Sequence, residues 1–313
     1  MVEFFRNSSN IYAHVFHYEN FIFVIIVGFD LLFIFSAIHL FLSGLQVQDS
    51  LLINNLIRTC GPFLHSLDLR LNSLQDGGMS HLASQLSQYD EHHINDNNLC
   101  KLSLESNQLT SQGIGFLAKA LLHNRTIRSL NLSNNNFTNE GLFLLRDALL
   151  TNRTIQELML RNCRLTDQAA IALAEYIAES TTIQYVDLRG NTIQASGICG
   201  MAIAIKMNKT LLRLDFDPID ATPTNFNSLF SGTSIDRANN FLSLVNFRRM
   251  TTSSMNSTST PSGGGTRELL EQKGRWMSDI EAVCQRNILI YEENLRQQEN
   301  LLATETNDEQ IAE

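Results

Sequence analysis

Apolar residues along positions 64–217 change, within each unit of the chain, from strand spacing to helix spacing. In one unit Leu102 and Leu104 lie two residues apart, so both side chains point to the same face of a short strand. Further along that unit, Ile114 and Leu117 begin an apolar stripe with helical spacing. The pattern predicts short strands that alternate with helices.

This unit recurs with a period of 28 residues. Six copies begin at the same phase, at Leu64, Leu99, Ile127, Ile155, Ile183 and Leu211. The first interval is seven residues longer than the others, and the extra residues fall in the polar stretch 88–98. A fixed period of this length indicates a solenoid, because one unit cannot bury its apolar faces without its neighbours. We predict a parallel sheet with right-handed crossovers and helices on one side.

The strand segments share the pattern Leu-x-x-Leu-x-Leu-x-x-Asn-x-Leu, as in residues 99–109. This pattern resembles leucine-rich repeats, and the 28-residue period is similar to that of their ribonuclease-inhibitor subclass. The resemblance implies an α/β leucine-rich-repeat solenoid with its parallel sheet on the concave side and its helices on the convex side. An Asn after each strand can hydrogen-bond the backbone of the bend and of the neighbouring repeat. It occurs at Asn72, Asn107, Asn135 and Asn191, and Cys163 holds this position in the fourth copy.

Two further positions recur with the same period. A small residue is expected to let each helix lie close against the sheet, at Gly78, Gly113, Gly141, Ala169 and Gly197. Asn-x-Thr sequences match the glycosylation sequon at Asn124, Asn152 and Asn208. Because they share one repeat position, we predict that they serve the helix-to-strand loops instead.

The segments that flank the repeats are expected to cover the ends of the solenoid. Residues 43–63 read as an N-terminal cap helix region, and residues 218–265 as a Ser/Thr/Gly-rich linker. Residues 266–300 read as a C-terminal capping helix, and residues 301–313 as an acidic disordered tail. In the helix we predict that Trp276 is buried against the last repeat; the alternative is a helix that awaits a partner.

Residues 21–42 are almost wholly apolar and follow a polar lead over residues 1–20. Their length would span a bilayer, and their many Leu, Ile, Phe and Val side chains outweigh the cost of Asp30. They are therefore a candidate single-pass membrane anchor. Two alternatives stay open, namely a buried apolar element that caps the solenoid and a translated non-coding sequence.

Composition and charge exclude several classes of function. The net charge is −9, of which −6 comes from residues 292–313, so no basic field is available for nucleic-acid phosphates. The five cysteines lack any Cys-x-x-Cys pair, which indicates reduced thiols in an intracellular protein and neither disulfides nor a zinc site. No catalytic motif is present, so we expect a non-enzyme without cofactor, metal or small-molecule substrate.

The concave face is the candidate site for a protein partner, because its outward strand positions are polar and mixed in sign. The residues that we expect to form this site are Asp68, Arg70, Glu105, Asn131, Arg161, Asp187, Arg189 and Asp215. Outside the repeats, Thr251 follows Arg248 and Arg249 and is a candidate phosphorylation site. The alternative for the face is a solvated surface without a partner.

Residues 64–217 and the helix over 275–295 resemble the family of protein phosphatase 1 regulatory subunit 37. The resemblance rests on LDLRLNSLQDGG, NNNFTNEGLFLLRDALLTNRTIQELML, AEYIAES, LLRLDFD and CQRNILI. It implies an intracellular protein that binds and inhibits the type-1 Ser/Thr phosphatase catalytic subunit. The family's docking sequence, a basic residue before Val-x-Phe, has its nearest match at Val245 and Phe247, which follow Ser243 and Leu244. The alternative function is a membrane-tethered adaptor with another protein partner and a solenoid that faces the cytosol.

Overall fold

The computed structural model describes residues 11–12, 14–18, 21–25, 37–40, 43–60, 64–88, 99–217 and 265–312. The strands are β1 Ile11–Tyr12, β2 His14–Tyr18, β3 Phe21–Ile25, β4 Ala37–His39, β5 Ser66–Asp68, β6 Lys101–Ser103, β7 Ser129–Asn131, β8 Glu157–Met159, β9 Tyr185–Asp187 and β10 Arg213–Asp215. A short 3₁₀ turn, Val47–Asp49, precedes the first helix. The helices are α1 Ser50–Cys60, α2 Gln75–Leu86, α3 Ser111–Leu121, α4 Thr138–Thr151, α5 Asp167–Glu179, α6 Ala195–Met207 and α7 Gly265–Ala312.

One parallel sheet runs through the repeats in the order β1-β4-β5-β6-β7-β8-β9-β10. Its register aligns equivalent residues, so that Leu102 pairs with Leu67 on one side and with Leu130 on the other. A helix follows each of strands β5 to β9, as in a solenoid of strand–helix units. The predicted α/β solenoid is therefore confirmed. Separately, β2 and β3 form an antiparallel pair.

The core lies between the sheet and the helices and continues from repeat to repeat. Strand leucines such as Leu130 and Leu158 are fully buried together with helix residues such as Leu145 and Leu173. Because every helix packs against the next one, each repeat completes the core of its neighbour. The helices thus cover one face of the sheet, and the polar positions that alternate with the strand leucines lie on the other.

Buried asparagines join consecutive repeats at the bend after each strand. Asn135 Nδ2 donates to the carbonyl of Leu132, in its own repeat, and to that of Leu104, in the preceding repeat, both at 2.9 Å. Its Oδ1 accepts hydrogen bonds from the backbone N–H groups of Asn107 and Leu109, both at 3.0 Å. One side chain therefore satisfies backbone groups that a buried bend would otherwise leave unpaired.

Two other asparagines of this ladder behave alike, whereas Asn107 donates to the carbonyls of Leu69 and Glu105 but its buried Oδ1 accepts no hydrogen bond from the described residues. Asn72 and Asn191 make the same bonds with their own preceding repeats. Cys163 is fully buried and only donates, from Sγ to the carbonyls of Leu132 and Arg161. Burial raises the pKa of its thiol to about 12, so it remains a neutral donor at ordinary pH.

A second ladder supports the loops between each helix and the next strand. Asn152 Nδ2 donates to the carbonyls of Leu121 and Asn124, both at 2.9 Å, and its Oδ1 accepts from the N–H of Thr154. Asn124 and Asn208 form equivalent bonds and are likewise buried. These side-chain amides face the protein interior and are committed to backbone groups, as expected from their shared repeat position.

The structural reason for glycine near the start of a helix differs from the one that we predicted from the sequence. Asp76, in α2, accepts hydrogen bonds from the N–H groups of Thr110 and Gly113, at 2.8 and 3.0 Å, and so caps the start of α3. A Cβ on Gly113 would collide with this carboxylate. Asp167 caps α6 in the same way, and a Cβ on Gly197 would lie 2.7 Å from its Oδ1. At both positions glycine makes room for a carboxylate cap between helices, and at Gly197 it also makes room for the side chain of Ile193.

The sheet begins earlier than the predicted first repeat. Strand β4 pairs in parallel with β5, which aligns Ile38 with Leu67, and Ile38 and Leu40 are buried in the core. Asn72 Oδ1 accepts from the N–H groups of Ser43 and Leu45, so residues 37–60 form a repeat-like unit with α1 as its helix. Sequence comparison overlooked this unit because Ser43 stands where the other bends carry Asn, and because its strand lies inside an apolar run.

The expectation of one continuous membrane helix over residues 21–42 is not supported, because the described residues at both ends of this segment form strands. Residues Phe21–Ile25 form β3, and residues Ala37–His39 belong to the solenoid sheet; residues 26–36, 41 and 42 lie outside the described part of the chain. Among the helices that the structure describes, none combines the length and the hydrophobicity needed to cross a bilayer.

Helix α7 covers the open end of the last repeat. Ile280 and Cys284 are buried against the core, and Asn287 Nδ2 donates to the carbonyl of Leu211 at 2.9 Å. Neighbouring Arg286 donates to the carbonyl of Asn208 at 2.7 Å. Arg286 and Asn287 thus bond the carbonyl of Asn208, which the next member of the second ladder would bond, and the helix acts as the predicted cap.

Two expectations for this region need correction. Trp276 packs against the core but is only partly buried, because Ile280 and Cys284 occupy the centre of the contact. The helix continues to Ala312 and so includes most of the predicted disordered tail. No Gly or Pro follows Gly274 to end the helix, and Leu, Ala, Glu and Gln favour its continuation.

The candidate residues Val245, Phe247 and Thr251 lie outside the described residues.

Replacing Asn287 by alanine should destabilise the cap. The change leaves the carbonyl of Leu211 unpaired, so we expect a loss of about 1–3 kcal/mol in the free energy of unfolding. Urea denaturation followed by circular dichroism measures this loss. Gln285→Ala, on the exposed side of the same helix, is the matched control and should change stability by less than about 0.5 kcal/mol. Equal stability of the two variants would contradict the capping role.

Candidate protein-binding surface

The face of the sheet that the helices leave uncovered carries all eight residues of the predicted binding site. We call it the open face. The structure places these residues on successive parallel strands or directly after them, so that equivalent positions form rows across the sheet. Hydrogen bonds gather them into two groups, one near the start of the solenoid and one near its end.

The group near the end is centred on Asp187. Its carboxylate accepts two hydrogen bonds from the Arg189 guanidinium, at 2.9 and 2.5 Å, and one from the Tyr185 hydroxyl, at 3.2 Å. Arg161 Nε lies 3.8 Å from the same carboxylate. We use the term Asp187 cluster for these four residues together with Arg213 and Asp215.

Asp215 extends this network onto the last strand. It accepts a hydrogen bond from Arg213 Nε at 2.9 Å, and Arg189 lies 3.4 Å away. The Tyr185 hydroxyl lies 3.1 Å from it, so the single hydroxyl proton is shared between Asp187 and Asp215. The Arg213 guanidinium also stacks over the Tyr185 ring, 5.3 Å from its centroid. The tyrosine is thus held at its hydroxyl by carboxylates and at its ring by a guanidinium.

The network shifts the titration of its members. Burial raises the pKa of Asp187, but hydrogen bonds and charge from Arg189 outweigh it, so the pKa lies below its ordinary value. Burial, the negative charge of Asp187 and the hydrogen bond to Asp215 raise the pKa of Tyr185 to about 12. At neutral pH the cluster therefore holds two carboxylates, three guanidiniums and a neutral tyrosine, with a net charge of +1.

Exposure differs sharply between the two signs of charge. The Asp187 side chain is 3% exposed, whereas those of Arg161 and Arg213 are 50% and 64% exposed. Between them the Arg189 side chain is 37% exposed. The carboxylates thus lie beneath the surface and orient the arginines, whose remaining donors face outward.

The group near the start of the solenoid contains one arginine among acidic and uncharged polar side chains. Asp68 accepts hydrogen bonds from Arg70 Nε at 2.9 Å and Nη2 at 2.7 Å, and His39 Nδ1 lies 3.5 Å from it. On the next strands Glu105 accepts from Asn131 Nδ2 at 3.0 Å and from Asn134 Nδ2 at 2.7 Å. Most donors and acceptors here satisfy one another, so this group offers a partner fewer free donors than the Asp187 cluster does.

Sequence reasoning overlooked Tyr185 and Arg213. Both occupy the first position of their strand, two residues before Asp187 and Asp215, and so belong to an outward row that precedes the rows of the predicted residues. The alternation along the strands was the signal that could have identified them.

Across the described residues no group of His, Cys, Asp and Glu is arranged to hold a metal ion.

The Asp187 cluster predicts a pH-dependent contribution to stability. Because the folded-state pKa of Asp187 is depressed, its contribution is present above the ordinary value of 3.8 and is lost as the pH falls through the folded value. Asp187→Asn should cost roughly 1–3 kcal/mol at pH 7, and the difference from wild type should shrink below about pH 4. Thermal melts between pH 3 and 7 measure this, with the exposed Asp147→Asn as control. A constant difference across that range would exclude the charged network as its source.

Among the comparisons with known proteins, the family match agrees with this architecture. The family model described as Leucine Rich repeat matches residues 62–83, 123–145, 151–174 and 179–202. The chain is similar to the solved structure of the leiomodin-1 actin-binding site 2, with 18% identity over 55% of this chain and 91% of that chain and a TM-score of 0.36. It is also similar to a Caenorhabditis elegans tropomodulin C-terminal domain, with 15% identity over 47% and 83% of the two chains and a TM-score of 0.33.

No curated protein sequence matches the chain significantly. These findings do not reach the family of protein phosphatase 1 regulatory subunit 37, so that resemblance stays a prediction. The four matched stretches coincide with the strand–helix units that the structure shows. The chain therefore carries leucine-rich repeats, and these repeats form its α/β solenoid.

Proposed function

We propose that this chain is a non-catalytic scaffold that binds a protein partner on its open face, with the Asp187 cluster as the centre of the contact. One observation carries the proposal: Asp187 and Asp215 hold the partly exposed guanidiniums of Arg189 and Arg213 by hydrogen bonds, and the exposed Arg161 lies 3.8 Å from Asp187. Side chains that are already ordered lose little conformational entropy on binding. Arginine and tyrosine are also the residues that most often dominate interface energies.

The chemistry of the cluster favours an acidic segment of the partner. Guanidiniums donate two parallel hydrogen bonds to a carboxylate, and each arginine here keeps outward donors after pairing with its aspartate. Met159 and Tyr185 lie beside them on the neighbouring strands, are partly exposed and add apolar area. This combination of an aromatic residue, methionine and arginines is typical of the core of protein interfaces.

For the identity of the partner, we propose the type-1 Ser/Thr phosphatase catalytic subunit, which this chain would inhibit. The support is the resemblance in the repeats and in the CQRN segment of α7. The segment with Val245 and Phe247 would then add a second contact, in which an extended strand places two apolar side chains in pockets of the partner. The two contacts are separable by mutation.

The role of the open face is tested by affinity capture with the full chain as bait. Arg161→Ala with Arg213→Ala removes two exposed guanidiniums but leaves Asp187 paired with Arg189. Proteins that bind the cluster should be recovered with wild type and reduced at least tenfold with this variant, a change of about 1.4 kcal/mol in binding. The control is Arg153→Ala with Lys209→Ala, two exposed cations in helix-to-strand loops. Equal recovery with both variants would place the binding surface elsewhere.

The phosphatase is tested directly with the purified catalytic subunit. We expect micromolar binding by calorimetry, and we expect Val245→Ala with Phe247→Ala to weaken it at least tenfold while the melting temperature stays unchanged. Absence of binding by wild type would exclude the phosphatase without affecting the capture experiment. Binding that is lost only with Arg161→Ala and Arg213→Ala would assign the contact to the open face alone.

A further inference from the structure

Helix α7 continues well beyond the repeat that it caps. Its contact with the solenoid ends near Asn287, whose side chain bonds the carbonyl of Leu211. From Ile288 to the end of the helix at Ala312 there are 25 residues, or roughly 37 Å of helix. This outer half is far longer than a cap requires.

The apolar stripe that docks the helix also continues past the solenoid. Met277, Ile280 and Cys284 pack on the core, and Tyr291 and Leu295 follow on the same side of the helix at intervals of seven and eleven residues from Cys284. The docked residues are buried or partly buried, whereas Tyr291 is 41% exposed and Leu295 is 40% exposed. The solenoid therefore covers the first part of the stripe, and the second part is exposed to solvent.

One other exposed apolar residue provides an internal comparison. Leu289 is 65% exposed, and its helical position lies about 120° from those of the docked residues Met277 and Val283. It forms no row with the docked residues, whereas Ile290 follows the docked Val283 after two turns of the helix and lies on the docked side. The continued stripe is thus a directed feature of the helix and distinct from scattered surface apolar residues, which are ordinary.

The negative charge beside the stripe indicates which kind of partner would bind there. Residues 289–312 hold six acids and one arginine, a net charge of −5. Glu292 and Glu299 flank the stripe on one side, and Arg296 lies 3.7 Å from Glu292 in an exposed pair that neutralises little. Two copies of this helix would bring ten negative charges together, so the charge disfavours self-association.

We propose that residues 288–299 of α7 bind a basic amphipathic helix of a partner protein. Such a helix would lay apolar residues at positions i, i+3 or i+4, and i+7 against Tyr291 and Leu295. Lysine or arginine at its flanks would face Glu292 and Glu299. This surface lies on the capping helix and uses no residue of the open face, so the scaffold would hold two partners or two parts of one partner.

The test uses the full chain and a fluorescent 18-residue peptide of leucine and lysine in an amphipathic pattern. Fluorescence anisotropy should show binding that weakens with added salt, and the counterpart peptide with glutamate in place of lysine should not bind. Tyr291→Ala with Leu295→Ala should raise the Kd at least tenfold. Leu289→Ala removes exposed apolar surface from the opposite face of the same helix and should change the Kd less than twofold.

The charge is tested in the same assay. Glu292→Gln with Glu299→Gln should raise the Kd severalfold and flatten its salt dependence, whereas Glu293→Gln, on the opposite side of the helix, should not. All four variants alter exposed side chains, and unchanged circular dichroism confirms their fold. Equal effects of the two apolar variants, or no binding by wild type, would overturn the proposal. A dimer in light scattering that Tyr291→Ala with Leu295→Ala converts to monomer would overturn it in favour of a second copy.

Discussion

The structure depends on one constraint: the backbone of a buried bend must find hydrogen-bond partners without water. Asparagines near the ends of the strands meet it: Asn135 donates to carbonyls of its own and of the preceding repeat and accepts from N–H groups of the preceding one. Asn152 donates to carbonyls of the preceding repeat and accepts within its own loop. Every repeat is therefore completed by the one beside it. The regular spacing of the strands and the continuous core follow from this mutual dependence.

The same constraint explains the ends. At the start, Asn72 holds the bend of residues 43–45 although that bend has no asparagine of its own. At the other end no further repeat follows, and Arg286 and Asn287 of α7 bond the carbonyl of Asn208, which it would have bonded. A helix that crosses the open end of the solenoid can thus replace a repeat, provided that it brings a buried amide to the right carbonyls.

Since the ladders hold the backbone of each repeat in the same way, the open face can vary without loss of fold. Asp68, Asn131 and Asp187 occupy one equivalent position, yet the two aspartates accept from the arginine two residues on, whereas Asn131 donates to Glu105 of the preceding repeat. The three arginines meet only on the last strands, where two aspartates lie below them. The scaffold is repeated, and the candidate binding surface is local.

The sequence by itself determined the repeat period, the strand and helix of each unit and the outward rows, because burial against identical neighbours imposes one pattern on every copy. It also marked the asparagines. Only the tertiary structure decided that residues 37–60 form a further unit, since the evidence for it lies in pairing with β5 and in bonds to Asn72. Likewise, which charges meet depends on side-chain geometry between strands. Tyr185 joins Asp187 and Asp215 through one hydroxyl, which no periodicity encodes.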